Sequence, residues 1–413
     1  MFTLIENGDV YAPEPLGRQP VLLANDKIVK IGDISVEQVN ALGVEVETID
    51  ASGCFVTPGL IDAHQHVLGG SGEKGFASQT PEISASEIVA AGITTVVGCL
   101  GADTTMKTFP GLLAKVKGLK EEGLNAYMWS GGYNVPPKSI TASIRDDIMF
   151  IDEVVGCGEV AIADERSMGP TAQELARIVH DSYVGGMLSN KAGVTHFHVG
   201  NGEDRLLLLR ELIDKHGVSA EWLWATHITR SEKLMMEAIE LAKNGSWVDI
   251  DTVDENLADC IKFYLEHTGW EEKLTISSDA SVTSPQNLYS EIRKCVLEAR
   301  LPLETVLRFS TCNPATVLKL GIKGTLEAGK AADVLVITKK DMELLHVISL
   351  GRRLMKDGHI SFSEKFLKDS NRRVALEGEK VVDKREDRAV PPSQFASEKA
   401  RTAHVESFTC EGK

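Results

Sequence analysis

The first residues whose spacing could do chemistry are two histidines in Pro58-Gly-Leu-Ile-Asp-Ala-His64-Gln-His66. On a β-strand, residues i and i+2 leave the same face, so His64 and His66 converge where the strand ends and can share one cation. An isolated His-X-His is a weak signal. It gains weight because polar residues recur at the ends of later apolar runs: His198 in Val194-Thr-His-Phe-His198, His227 in Leu223-Trp-Ala-Thr-His227 and Asp279 in Leu274-Thr-Ile-Ser-Ser-Asp279. Histidine and carboxylate donors gathered on one face would make a metal site. For any single one of them, capping or hydrogen bonding is a sufficient role; for the whole set, coincidence is the poorer account.

The elements that must position these residues follow from the texture of the chain. From Gly59 to about Lys319, apolar strand-like runs alternate with helical stretches, as expected of a parallel sheet with crossover helices. The expected strands are Leu60–His66, Thr94–Cys99, Ala126–Ser130, Glu159–Ile162, Thr195–Val199, Leu223–His227, Trp247–Ile250 and Leu274–Ser277, with helices such as Thr171–Leu188, Asp204–His216 and Ser231–Lys243 between them. Their number and span predict an α/β fold, a (β/α)8 TIM-like barrel over residues 58–319, in which strand ends meet on the face that carries active sites.

Residues 1–57 alternate short apolar runs with turn pairs such as Asn7-Gly8 and Asn25-Asp26. After the barrel, a turn-rich β segment begins at Gly324-Thr-Leu-Glu-Ala-Gly-Lys-Ala-Ala-Asp-Val-Leu-Val-Ile337. Residues 320–363 are expected to join residues 1–57 in a small β-sandwich domain. Residues 364–413 hold 11 basic and 10 acidic residues with Pro391-Pro392 and read as a charged, flexible tail or partner-dependent arm.

The formal charge of the 413-residue chain is -16, and -17 of it falls on residues 1–363. That balance excludes a general binder of nucleic acid or anionic membrane. The seven cysteines are never spaced as Cys-X-X-Cys, which disfavours a disulfide framework and fits a reducing compartment. No basic leader or long apolar run is read in the sequence, so the expected location is cytoplasmic.

Taken together, PGLIDAHQH, the two later histidines, Ser277-Ser278-Asp279 and the GTLEAGKAADVLV segment resemble the amidohydrolase superfamily over residues 1 to about 360. More narrowly, Gly69-Gly-Ser-Gly-Glu73, Gly131-Gly-Tyr133-Asn-Val-Pro, Ala163-Asp-Glu-Arg166-Ser and His227-Ile-Thr-Arg230 resemble isoaspartyl (β-aspartyl) dipeptidases. The resemblance implies a site for two Zn2+ ions, with His64, His66 and Asp279 on the first and His198 and His227 on the second. A carboxylate between the ions completes it. Relatives use a carboxylated lysine there, whereas this chain reads Gly156-Cys-Gly-Glu159 and places Glu159 at the matching position. Either group is a bidentate anion of one negative charge, and the shorter glutamate requires backbone or metals to move closer. Asp164 and Glu165 lie near enough in sequence to be alternatives.

The resemblance also implies the reaction: a hydroxide bridging the metals attacks the side-chain amide of a β-aspartyl dipeptide, with the cations lowering the pKa of bound water. Asp279 would carry the proton from hydroxide to the departing amine, and Tyr133 would hydrogen-bond the carbonyl oxygen. The small zwitterionic dipeptide would set its ammonium against Glu73 and its carboxylates against Arg166 and Arg230. Ala102 stands where relatives have a hydroxyl residue, and Thr283 or Ser284 could replace that contact. His196 is read as structural, and no cysteine has a persuasive catalytic partner. A different amidohydrolase, such as an N-acyl amino acid deacylase or cyclic-amide hydrolase, is the alternative. A noncatalytic assembly protein on the same fold is the third reading, and a homo-oligomer is expected from the resemblance.

Overall fold

A computed structural model describes residues 2–370 except 71, 254, 255 and 269. Eight parallel strands run in sequential order around one sheet: β1 (Leu60–Gln65), β2 (Ile93–Gly98), β3 (Asn125–Ser130), β4 (Val154–Ile162), β5 (Thr195–Val199), β6 (Leu223–Thr226), β7 (Trp247–Asp251) and β8 (Leu274–Ser277). A parallel bridge from Gln65 to Ala280 brings the last strand back to the first, so the sheet is a (β/α)8 barrel.

Side chains along the strands alternate between two apolar clusters. Val97, Trp129, Val155, Trp224 and Trp247 share one cluster. Their neighbours Val96, Met128, Val154, Ala225 and Val248 share the other with helix residues such as Leu112, Val116 and Leu209. A period of two on a closed sheet produces this division between barrel interior and helical shell.

Helices start where capping chemistry allows. Ala172–Ser189 begins after Thr171, whose side chain accepts from the Glu174 amide while Glu174 reaches back, a capping box. Glu232–Lys243 is capped by Ser231. The helix expected from Asp204 begins instead at Leu207, because the Leu207 amide donates to the Asp204 carbonyl in a turn that precedes it. The largest shift is at β4, which starts at Val154 rather than Glu159. Glycine is a poor strand former, but a Cβ at Gly156 would lie 2.3 Å from the Val194 carbonyl oxygen, so the close approach of β4 to β5 requires glycine there.

Two further sheets flank the barrel. One orders Lys27–Ile31, Val21–Ala24, Phe2–Glu6 and Val46–Asp50. In the other, Cys54–Pro58 pairs on one side with Val334–Thr338 and on the other with Asp9–Tyr11, so early and late segments share a sheet. Of the charged tail, the described part holds the short helix Lys365–Asp369; residues 371–413 lie outside the described residues. Among the described residues, no helix is long and apolar enough to cross a membrane.

Candidate metal centre and adjoining cavity

The seam where β1 meets β8 builds the first half of the site. Asp62, fully buried, accepts from Gln65 Nε2 at 2.8 Å and from the Ser278 amide at 3.1 Å. The Asp279 amide donates to the His64 carbonyl at 3.0 Å, and the His66 amide to the Ala280 carbonyl at 2.9 Å. These bonds place His64, His66 and Asp279 together. The pairing of β1 with β2 shifts register between Asp62 and Gln65, and that of β4 with β5 between Cys157 and Val160. Irregularities of this kind re-aim side chains beside sites; these two bracket His64 and Glu159. His227 and Asp279 both adopt positive φ, 63° and 45°, conformations that cost energy and are held by the surrounding structure.

Four donor separations characterise the cluster. His64 Nε2 lies 3.3 Å from both Glu159 Oε2 and Asp279 Oδ1. His66 Nε2 lies 3.4 Å from Glu159 Oε1 and 3.1 Å from Asp279 Oδ1. Most of these are long for hydrogen bonds. Donors around one tetrahedral zinc-sized ion sit about 3.4 Å apart, given metal–nitrogen and metal–oxygen bonds of about 2.0–2.2 Å. Both ring nitrogens of the buried His64 lack a hydrogen-bond partner, which is costly unless something else satisfies them. The donor set fits a divalent cation.

On the far side, Glu159 Oε2 lies 3.3 Å from His198 Nδ1 and 3.9 Å from His227 Nε2. Glu159 thus belongs to both donor groups. Asp164 does not take that place: it accepts from His198 Nε2 at 2.9 Å and grips Arg166, while Glu165 is exposed. Asp251 Oδ2 holds His227 Nδ1 at 2.7 Å and leaves Nε2 facing the cluster. Carboxylates behind ligating histidines fix ring orientation and tautomer in this way. His196 stacks on Trp129 with centroids 5.2 Å apart and planes 7° from parallel, and burial holds its pKa well below the usual value.

A cavity of about 360 Å3 opens onto the cluster, lined by Glu73, Ala102, Tyr133, Arg166, Arg230 and Thr283 among others. Tyr133 Oη lies 2.6 Å from His198 Nδ1. Burial, reinforced by Glu159, pushes the phenol pKa well up, so it stays a donor. Arg166 reaches Glu73 Oε1 at 2.6 Å, which pairs two residues the sequence suggests for opposite charges of a ligand. Ser284 is exposed; its Oγ accepts from the Gln286 amide and it is not part of the cavity wall, where Thr283 and Ser281 stand instead. Asp251, Ser281 and Cys99 all lie at the site without having been singled out by sequence. Cys99 follows β2 directly, near a strand end as His198 and Asp279 are.

Protons compete with cations for these donors. Burial opposes charging His64, but Glu159 and Asp279 overcome it and hold its pKa well above the usual value; burial opposes charging His66 too, and Cys99, with Asp279 and Glu159, raises it. Each raised histidine stabilises the cation-free fold fully below its unfolded pKa of about 6.5, and that contribution is lost as pH rises through the folded value. The cation-free chain should therefore melt at lower temperature as pH climbs from about 6.5 through the raised folded value, while zinc affinity rises and binding releases protons. Calorimetric titration with zinc in buffers of different ionisation enthalpy checks this; a pH-independent affinity without proton release contradicts it.

The amidohydrolase family model matches residues 55–354. A β-aspartyl dipeptidase structure from the thermophilic, keratin-degrading Fervidobacterium islandicum AW-1 is 41% identical, covers 88% of this chain and 99% of its own, and superposes with a TM-score of 0.84. A structure of the enzyme from that organism in complex with β-Asp-Leu dipeptide is 40% identical, covers 88% of this chain and 98% of its own, and also has a TM-score of 0.84. A dihydroorotase of Lactobacillus gasseri is 24% identical over 406 aligned positions, 81% of this chain and 89% of the relative.

Proposed function

The chain belongs to the amidohydrolase family, and from that premise we propose that it is a zinc-dependent hydrolase of β-aspartyl dipeptides, holding two Zn2+ ions bridged by Glu159. The observation that carries the reading is a shared carboxylate between two histidine groups, opening onto a cavity lined by two arginines and a glutamate.

His64, His66 and Asp279 would hold one cation, and His198 and His227 the other. Bound there, the cations would supply a water of lowered pKa and Lewis-acid contact with the scissile carbonyl. Tyr133 donates its phenolic hydrogen toward the charge growing on that oxygen. Asp279 accepts the proton that water loses on adding to the carbonyl carbon, and returns it to the amine nitrogen as the carbon–nitrogen bond breaks. Its side chain is 19% exposed against 1% for Glu159, so of the two cluster carboxylates that line the cavity it is the more open.

Arg166 and Arg230 suit the carboxylates of a β-linked dipeptide, and Glu73 suits its ammonium. Because Arg166 and Glu73 already pair, a zwitterion would exchange their mutual contact for two of its own. Thr283 lines the cavity with Ala102 and Ser284 does not, so Thr283 would be the one to replace the missing hydroxyl. A cyclic-amide hydrolase is the second reading, favoured by the likeness to dihydroorotase. The test is a kinetic panel on the zinc-loaded chain with β-Asp-Leu, α-Asp-Leu, an N-acyl amino acid and dihydroorotate. The expected result is a preference in kcat/KM for β-Asp-Leu of roughly a hundredfold or more, since α-Asp-Leu sets the same charges differently about the scissile amide and the other two compounds lack the ammonium that Glu73 would meet. Preference for the cyclic amide would move the assignment to the second reading.

A further inference from the structure

We propose that Cys99 is a ligand to the first cation, so that the site is a mixed nitrogen, oxygen and sulfur centre. The inference rests on the reading that a divalent cation binds between His64, His66, Asp279 and Glu159, but not on the identity of the substrate. Cys99 is fully buried and directly follows β2. Its Sγ lies 3.9 Å from His66 Nε2 and 3.7 Å from His66 Nδ1. Donor atoms of Cys99, His64, His66 and Glu159 all fall within 4.8 Å of one another. A zinc with bonds of about 2.05 Å to nitrogen and 2.3 Å to sulfur at a tetrahedral angle spaces those donors about 3.6 Å apart; Sγ now lies beside the His66 ring, slightly nearer Nδ1 than Nε2, so coordination requires the thiol to swing toward the Nε2 lone pair.

The second observation is independent of the cysteine. His64 Nε2, buried and without a hydrogen-bond partner, belongs to the same donor group, so that group has unmet capacity for a ligand. Space for one is preserved nearby: a Cβ on Gly101 would stand 3.1 Å from His66 Cε1 and 3.4 Å from Glu159 Oε1. The thiol has another partner, the Gln65 carbonyl, at 3.5 Å. That is a weak sulfur hydrogen bond, and coordination would replace it: the S–H proton leaves to solvent as the sulfur–metal bond forms. A thiolate would offset cation charge that Glu159 and Asp279 leave uncompensated, and would bias the first position toward softer metals such as zinc over magnesium or calcium.

The experiment is X-ray absorption at the zinc edge of the full chain loaded with zinc, together with the electronic spectrum of the cobalt-substituted chain. A sulfur shell at about 2.3 Å and a near-ultraviolet sulfur-to-cobalt charge-transfer band are expected, both lost in Cys99→Ala. Cys99→Ser, which keeps the side-chain volume, is measured alongside with circular dichroism, so that loss of sulfur can be read in a folded chain. Bound zinc surrounded only by nitrogen and oxygen overturns the proposal and leaves the cation site standing. A sulfur signal that survives in a folded Cys99 variant assigns it to another thiol and also overturns it. A chain that binds no metal overturns both.

Discussion

Asp279→Asn lowers turnover of a β-aspartyl dipeptide by roughly 10²–10⁴-fold, the range for loss of a positioned proton carrier. The substituted amide keeps an oxygen toward His66, now 3.1 Å from Oδ1, and preserves shape at the β1–β8 seam. What it loses is the capacity to take a proton from water and hand it to the leaving amine. KM should change far less than kcat, because Arg166, Arg230 and Glu73 are untouched. The acid limb of the pH–rate profile, where the carboxylate becomes protonated, should disappear with it. Metal content is measured on the same samples. Full metal with undiminished turnover removes Asp279 from proton transfer, and turnover that falls only in proportion to lost metal makes it a ligand alone.

The second large effect is expected at Glu159. In Glu159→Gln the side chain keeps its volume but cannot bridge as an anion, so the group containing His198 and His227 loses its shared carboxylate. Bound zinc at saturation should fall from two ions per chain to one, retained by His64, His66 and Asp279. Turnover should fall roughly a hundredfold or more, corresponding to several kcal/mol of lost stabilisation. The cation-free variant should also be less stable at mildly acidic pH, because His64 loses the buried carboxylate, 3.3 Å away, that offsets its charge. Metal analysis after dialysis decides the matter: a wild-type ratio of one, or an unchanged ratio in the variant, rules out the bridge.

Much of this architecture is legible without coordinates because it is local. Apolar runs such as Leu223–Thr226 and Leu274–Ser277 carry strand propensity in their own residues, and Thr171 with Glu174 announces a helix start within one turn. The start of β4 is not legible in that way. Gly156 and Gly158 read as strand breakers, and only the neighbouring Val194 and His196, brought alongside by β5, explain why nothing larger fits.

The candidate site divides along the same line. Residue type and end-of-strand position single out His64, His66, His198, His227 and Asp279, since a parallel barrel carries all such ends to one face; Glu159 comes from the family resemblance alone. Which atoms face one another depends on closure of the barrel and on the register shifts at β1 and β4, properties of pairing between segments far apart in the chain. Closure sets Asp251 behind His227 and Asp164 behind His198. It also joins Arg166 to Glu73 and removes Ser284 from the cavity wall. Cys99 shows the difference most directly. By sequence it is one of seven scattered cysteines; in space it shares a donor group with two histidines and a glutamate. Sequence alone determined the order of strands and the kinds of donors at their ends, because periodicity and side-chain chemistry are local; the tertiary structure decided which donors converge, because sub-ångström placement comes from long-range packing and hydrogen bonding.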